Sequence, residues 1–182
     1  MLTTGRHDIA LIALQEKLQC NKFVNFLRLP YIPRQHLHPR TRCAIAGWDR
    51  NQDTKFNTLR VAEIRLITDQ LCDQMYADLK LRMSSVAQFC AGDIENGSVD
   101  ACEGDSGGPL FCHVDGRWTL YGLVTSGPTD CGKPGRPGLY VDIQKELRMI
   151  QAVAQKKAYA SFMEWFIQQE KCFDQFEQFM LK

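Results

Sequence analysis

A chain of 182 residues with 22 Lys and Arg against 21 Asp and Glu carries a net charge of +1, which leaves no electrostatic footprint for nucleic acid. Hydrophobic residues make up 45%, which excludes a polar disordered chain, and no apolar run approaches the roughly 20 residues that span a membrane. Eight cysteines with no CxxC pair read as disulfides and not as metal ligands, so the expectation is an oxidising compartment, no metal and no cofactor.

Met1 to Asp8 hold no basic segment followed by an apolar one, so a signal peptide is absent from this stretch. A secreted-type cysteine load without a leader leads to the expectation that the native N-terminus lies upstream. Asp8 to Leu14 (DIALIAL) reads as a buried strand. Pro30, Pro33 and Pro39 then make a connection too proline-rich for a helix and suited to a linker. From Cys43 to Asp142 short strand-like segments alternate with Gly, Asn and Asp turn signals: Cys43–Gly47, Asn57–Leu66, Phe89–Ala91, Leu110–Val114, Trp118–Val124 and Gly138–Ile143. That spacing favours an antiparallel barrel or sandwich over alternating β and α units. Beyond Gly138 there is no further Gly or Pro, and Tyr159, Phe162, Phe166, Phe173, Phe176 and Met180 fall on one stripe of a helix. Residues 144–182 are therefore expected to be helical, with a β domain over 1–157 and a helical extension over 158–182.

Residues 104–109 read Gly104-Asp105-Ser106-Gly107-Gly108-Pro109. At average residue usage this string arises by chance in such a chain with a probability on the order of 10⁻⁵. Its composition suits one chemistry. A serine hydroxyl is a weak nucleophile that needs a base for its proton. Its attack on a carbonyl creates an oxyanion, which needs backbone N–H groups aimed at one point. Glycines permit the tight turn that aims them.

With this motif the chain resembles the chymotrypsin/trypsin family of serine proteases across roughly residues 7–155. The resemblance also rests on Asp8-Ile9-Ala10-Leu11, Cys43-Ala44-Ile45-Ala46-Gly47-Trp48, Phe89-Cys90-Ala91-Gly92 and Gly138-Leu139-Tyr140-Val141, in the family's order. It implies an all-β fold, the trypsin-like antiparallel double β-barrel with a C-terminal α-helix. The second barrel would be complete over 43–143 and the first only partial.

By the same resemblance Ser106 is the nucleophile, Gly104 and Ser106 supply the oxyanion-hole N–H groups, and Asp8 is the acid that orients the catalytic histidine. Asp100, six residues before the serine, stands at the base of the primary pocket. A carboxylate there selects Lys or Arg, through a charge-assisted contact that partial burial strengthens. Gly127 and Gly138 match the pocket-wall glycines. The implied partners are protein or peptide substrates with Arg or Lys before the cleaved bond, and protease inhibitors. The implied disulfides are Cys43–Cys112, Cys72–Cys90 and Cys102–Cys131, which leaves Cys20 and Cys172 as a candidate fourth pair. The full-length protein would be secreted.

Several features depart from the pattern. The family's Ser-Trp-Gly strand reads Thr125-Ser126-Gly127, which loses an apolar platform but keeps a hydroxyl where the family bonds the triad aspartate. The histidine normally precedes the aspartate by some tens of residues, and none of the four here occupies its place. His7 adjoins Asp8, so on a strand it would point to the opposite face. His36 and His38 lie in the proline-rich connection, and His113 follows the nucleophile. In the family a newly cut N-terminus pairs with the residue matching Asp105, and no such terminus is present in the sequence. The reading is a trypsin-like endopeptidase domain that is silent as this chain stands. The alternative is a non-catalytic homologue acting as a binding or scaffold protein, in the manner of haptoglobin.

Overall fold

The computed structural model describes residues 7–16, 18–48, 58–79, 87–127 and 131–157. Six strands form one antiparallel sheet: β1 (Cys43–Gly47), β2 (Arg60–Ile64), β3 (Gln88–Ala91), β4 (Pro109–Val114), β5 (Arg117–Ser126) and β6 (Gly138–Asp142). Their order across the sheet is β2-β1-β4-β5-β6-β3. The edge strands approach one another only through an isolated bridge between Leu66 and Ala91, so the expected barrel is present as a curled sheet that does not close. Regular pairing in β2 stops at Ile64, and the chain beyond it reaches β3 at that bridge before turning into a helix.

Local chemistry explains the hairpin at the sheet's centre. Asp115 and Gly116 join β4 to β5 with φ of 47° and 74°. Positive φ at both turn positions matches the twist of the flanking strands, which is why Asp-Gly is favoured there. Alternation along β4 turns Leu110, Cys112 and Val114 inward, and Pro109, Phe111 and His113 toward the less buried face. β3 and β6 are instead buried at every position. One face of β3 meets the main core, where Phe89 stacks on Tyr140 at 5.6 Å between centroids. Cys90 on its other face packs with Leu139 against Ile67, Cys72 and Tyr76 of the neighbouring helical segment.

That segment includes α1 (Asp69–Met75), an element with no counterpart in the sequence-based expectations. Thr68 caps it by accepting a hydrogen bond from Leu71 N–H at 3.3 Å. Seven residues are too few to hold a helix alone, and the Cys72–Cys90 disulfide ties this one to β3. Disulfides also join Cys43 to Cys112, across the β1–β4 pair, and Cys102 to Cys131. Cys20 is disulfide-bonded as well. Its expected pairing with Cys172 lies outside the described residues, as does the expected helix over 158–182. α2 (Ile143–Lys157) follows β6 directly, in agreement with the start of the helical stretch.

Two expectations are corrected. Asp8–Leu14 forms no strand among the described residues, and its apolar side chains are not buried: Leu11, Ile12 and Leu14 are 45%, 84% and 60% exposed. A short apolar run becomes a strand only when a neighbour takes its backbone hydrogen bonds, and among the described residues none does. The proline-rich connection, in turn, is not a free linker. Arg28 exchanges backbone hydrogen bonds with Trp118 and Leu120 of β5, and Tyr121 donates its hydroxyl to Ile32 C=O at 3.1 Å. Arg34 is buried, with its guanidinium over the Phe89 ring at 4.4 Å and Nη2 at 2.6 Å from Asp69 and 3.7 Å from Asp142. An arginine fits such a place because its planar group both stacks on an aromatic face and forks between carboxylates.

Candidate active site

Ser106 stands on a turn between the Cys102–Cys131 disulfide and β4, and it is exposed. Three internal hydrogen bonds shape the turn: Asp105 N–H to Cys102 C=O at 3.0 Å, Gly108 N–H to Asp105 C=O at 2.8 Å, and Cys102 N–H to Asp105 Oδ2 at 3.0 Å. β5 anchors its far end, with Gly107 N–H donating to Val124 C=O at 2.8 Å and Val124 N–H to Gly108 C=O at 2.9 Å. Gly104 and Gly107 sit at φ of 102° and 80°, where side chains are strained. The N–H groups of Asp105 and Gly108 are thus taken up within the turn and that of Gly107 by β5, whereas those of Gly104 and Ser106 have no acceptor among the described residues.

Asp100 lines one cavity with Asp105 of the turn and is half-buried, with Oδ1 accepting from Ala101 N–H at 2.8 Å and Oδ2 from Gly132 N–H at 3.0 Å. Burial pushes its carboxyl above the ordinary aspartate value, and the two N–H donors oppose the shift. Cys131 carries Gly132 to this place through its disulfide with Cys102. Gly138 abuts the carboxylate, since a Cβ there would lie 2.7 Å from Asp100 Oδ1. A Cβ on Gly127 would lie 3.8 Å from the Gly138 Cα, so the two glycines face one another.

Asp8 is exposed and accepts a hydrogen bond on Oδ2 from Thr125 Oγ1 at 2.5 Å. Its neighbour His7 adopts φ of 61° and bonds through Nδ1 to the buried Glu146 of α2 at 2.7 Å. The two side chains therefore engage different elements. His38 Nδ1 accepts from Arg40 N–H at 3.1 Å, and His36 lies exposed in a 3₁₀ turn. His113 packs edge-on against Trp118. No histidine hydrogen-bonds Ser106 or Asp8 among the described residues.

Sequence reasoning passed over several residues of this region. Tyr140 is fully buried, and its hydroxyl has no partner. Desolvation first, and then the charges of Asp100 and Asp105, raise its phenol far above the usual range. Burial and the Asp100 charge likewise push Tyr76 up to about 12, and its hydroxyl donates to Pro137 C=O. Asp105 Oδ1 is also buried without a partner. It borders a cavity of about 200 Å³ whose wall includes Ile45, Gly47, Arg60, Val99 and Asp100.

An antiparallel β domain with an exposed serine on a glycine-framed turn, and a half-buried carboxylate six residues before it, has the form of a trypsin-like serine protease domain. The trypsin family profile matches residues 2–150, and the chain belongs to that family. Human "Serine protease 41" is 35% identical over 155 residues, which cover 81% of this chain and 48% of that protein. "Melanization protease 1" of Drosophila melanogaster is 33% identical over 152 residues, 80% of this chain and 37% of that protein. Human "Atrial natriuretic peptide-converting enzyme" is 38% identical over 138 residues, 75% and 13% respectively. The chain spans about half, or less, of the length of these relatives.

Proposed function

We propose that this chain is the nucleophile-bearing part of a secreted endopeptidase that cleaves after Arg or Lys. The observation that carries the reading is the turn at Ser106: an exposed hydroxyl beside two N–H groups, Gly104 and Ser106, that no other described group engages. In this reading Ser106 Oγ attacks the scissile carbonyl and the two N–H groups hold the oxyanion. Asp100 holds the guanidinium or ammonium of the substrate side chain in a slot that Gly127 and Gly138 leave open. Asp8, steadied by Thr125, orients the imidazolium formed when a histidine takes the serine proton. Protease inhibitors that present Arg or Lys fit the same slot. The disulfides support an extracellular setting.

The base itself is the open position. Among the described residues no histidine hydrogen-bonds Ser106 or Asp8, so the chain on its own is expected to bind cationic ligands without turning over substrate. Arg- and Lys-ester hydrolysis by the chain should not exceed that of a Ser106→Ala control. Clear serine-dependent turnover would refute the absent base. Binding of p-aminobenzamidine, followed by its fluorescence, should occur and be lost in Asp100→Asn. Equal binding by both proteins would remove the assigned specificity.

A second reading has the domain bind partners at the same slot without catalysis, since Asp100 can hold a cation whether or not a base stands beside Ser106. The two are separated by grafting a histidine-bearing first-barrel segment from a related active protease onto the chain. Restored turnover favours the enzyme, and none in a folded chimera favours the binding protein.

A further inference from the structure

The loop that leaves β3 and leads to Asp100 holds the triplet Asn96-Gly97-Ser98, which the proposed site does not use. An asparagine followed two residues on by serine or threonine, with no proline between, is the acceptor pattern for N-linked carbohydrate. The other asparagines, Asn21, Asn25, Asn51 and Asn57, have Phe23, Leu27, Asp53 and Leu59 at that place, so the sequence carries the pattern once. Such a triplet arises easily by chance, and its surroundings decide what it can do.

Asn96 and Ser98 are both exposed, and Asn96 ends a turn over residues 94–96. Asp93 organises that turn. Its Oδ1 accepts from the N–H groups of Glu95 and Asn96, each at 3.2 Å, and its Oδ2 from the Ser98 hydroxyl at 2.5 Å and Asn96 Nδ2 at 3.4 Å. The Ser98 hydroxyl first, and then the Asn96 N–H, hold the Asp93 carboxyl down at about 2, so it accepts these bonds as a carboxylate at neutral pH. Gly97 N–H donates to Asp93 C=O at 2.9 Å, and Gly97 takes φ of 65°. A Cβ on Gly97 would lie 1.9 Å from Gly132 C=O, so the loop packs on its Gly97 side against the Cys131 segment. The Asn96 side chain stays open to water, where a bulky group on its amide displaces no core residue.

We propose that Asn96 is an N-glycosylation site, with its oligosaccharide rooted on the exposed side of the loop that leads to the Asp100 slot. The donor class is a lipid pyrophosphate-linked oligosaccharide, supplied with a transferase in the compartment where the disulfides of this chain form. Nδ2 bonds to the anomeric carbon of the first sugar, the carbon–oxygen bond to pyrophosphate breaks, and the lipid pyrophosphate leaves with the electron pair. Nδ2 gives up one proton to the transferase and keeps one N–H, enough to retain its bond to Asp93. The folded loop ties the Ser98 hydroxyl to Asp93, so transfer belongs to the entering chain, before the loop closes. The proposal rests on the secreted setting of the proposed function and on none of its catalytic roles.

The test translates the full 182-residue chain behind a cleavable secretion leader in the presence of microsomes. Chains that enter the microsomes, marked by protection from added protease, should run slower on a denaturing gel by the step of a single glycan. Endoglycosidase H should reverse the shift. Asn96→Gln and Ser98→Ala should each lose it, and Ser98→Thr should keep it. Denaturing mobility is independent of whether a variant folds, so all three remain readable. Release of the glycan by peptide-N-glycosidase in heavy-oxygen water should leave a labelled aspartate at position 96. Protected chains that show no shift, or a shift that survives Asn96→Gln, would overturn the proposal. So would unlabelled aspartate at position 96 of an unshifted chain, which is the mark of spontaneous deamidation at Asn96-Gly97. Failure of the protease reading shows itself elsewhere, as p-aminobenzamidine binding that is indifferent to Asp100→Asn.

Discussion

In the proposed reading Asp100 is one carboxylate that serves recognition and weakens the fold together. Burial raises its carboxyl above the ordinary aspartate value in the folded chain. Between the unfolded and the folded value the native state holds more protons, so stability falls as pH rises through that window. Asp100→Asn should therefore be more stabilising, or less destabilising, at pH 7 than at pH 3, as denaturant titrations at the two values would show. Cation binding runs the other way, because it needs the ionised form. Affinity for p-aminobenzamidine should begin to drop on acidification at a higher pH than an ordinary aspartate would give, because the free protein's carboxyl sets that onset. Gly47 makes a second single-residue case. Gly47→Ala must displace Asp105, so it should speed exchange at the Gly107 and Gly108 amides while β1 stays paired. At this scale the sequence was partly legible. The proposed residues Ser106, Asp100 and Asp8 stand out through motif and resemblance, whereas Tyr140 comes beside the Asp100 and Asp105 charges only through strands distant in the chain.

Among the elements, those governed by local chemistry were readable and those governed by distant partners were not. Asp115-Gly116 announces its hairpin, and alternation marks β4, since both depend on adjacent residues. α1 was missed, although Thr68 before Asp69 is a capping signal, because seven residues carry too little periodicity to register. Asp8–Leu14 failed in the opposite sense, having the composition of a strand without a partner to pair with among the described residues. α1 gives the sharpest test of what holds a short element in place. In the chain-entropy account, closing the 18-residue separation of Cys72 and Cys90 stabilises the fold by about 3 kcal/mol. Thr68→Ala removes the cap and should cost about 1 kcal/mol. Replacing both cysteines by alanine should lower the denaturation midpoint well beyond Thr68→Ala. If the order were reversed, the cap and the packing of Tyr76 would be the anchor and the disulfide secondary.

At the scale of the whole molecule, charge is nearly balanced while apolar surface is not. The net charge of +1 provides little repulsion between copies. Leu11, Ile12, Leu14, Leu18 and Phe23 are all exposed within one short stretch of the described chain, with Ile12 and Phe23 each 84% accessible. Large apolar side chains left in water favour association, because each one removed from water gains roughly 1.5–3 kcal/mol when fully buried. The sheet core does not depend on these side chains, since the residues that fill it come from β1 to β6. Replacing Ile12 and Phe23 by lysine should therefore leave the melting temperature within a few degrees while raising the concentration at which the chain begins to self-associate. Light scattering across a concentration series, set beside thermal melts of the same samples, reads both quantities. A double variant that melted far lower would mean that this stretch packs on the domain and contributes to its stability. Unchanged self-association would place the sticky surface elsewhere, with Trp48 and Val61, both more than half exposed at the ends of β1 and β2, as the next substitutions to make.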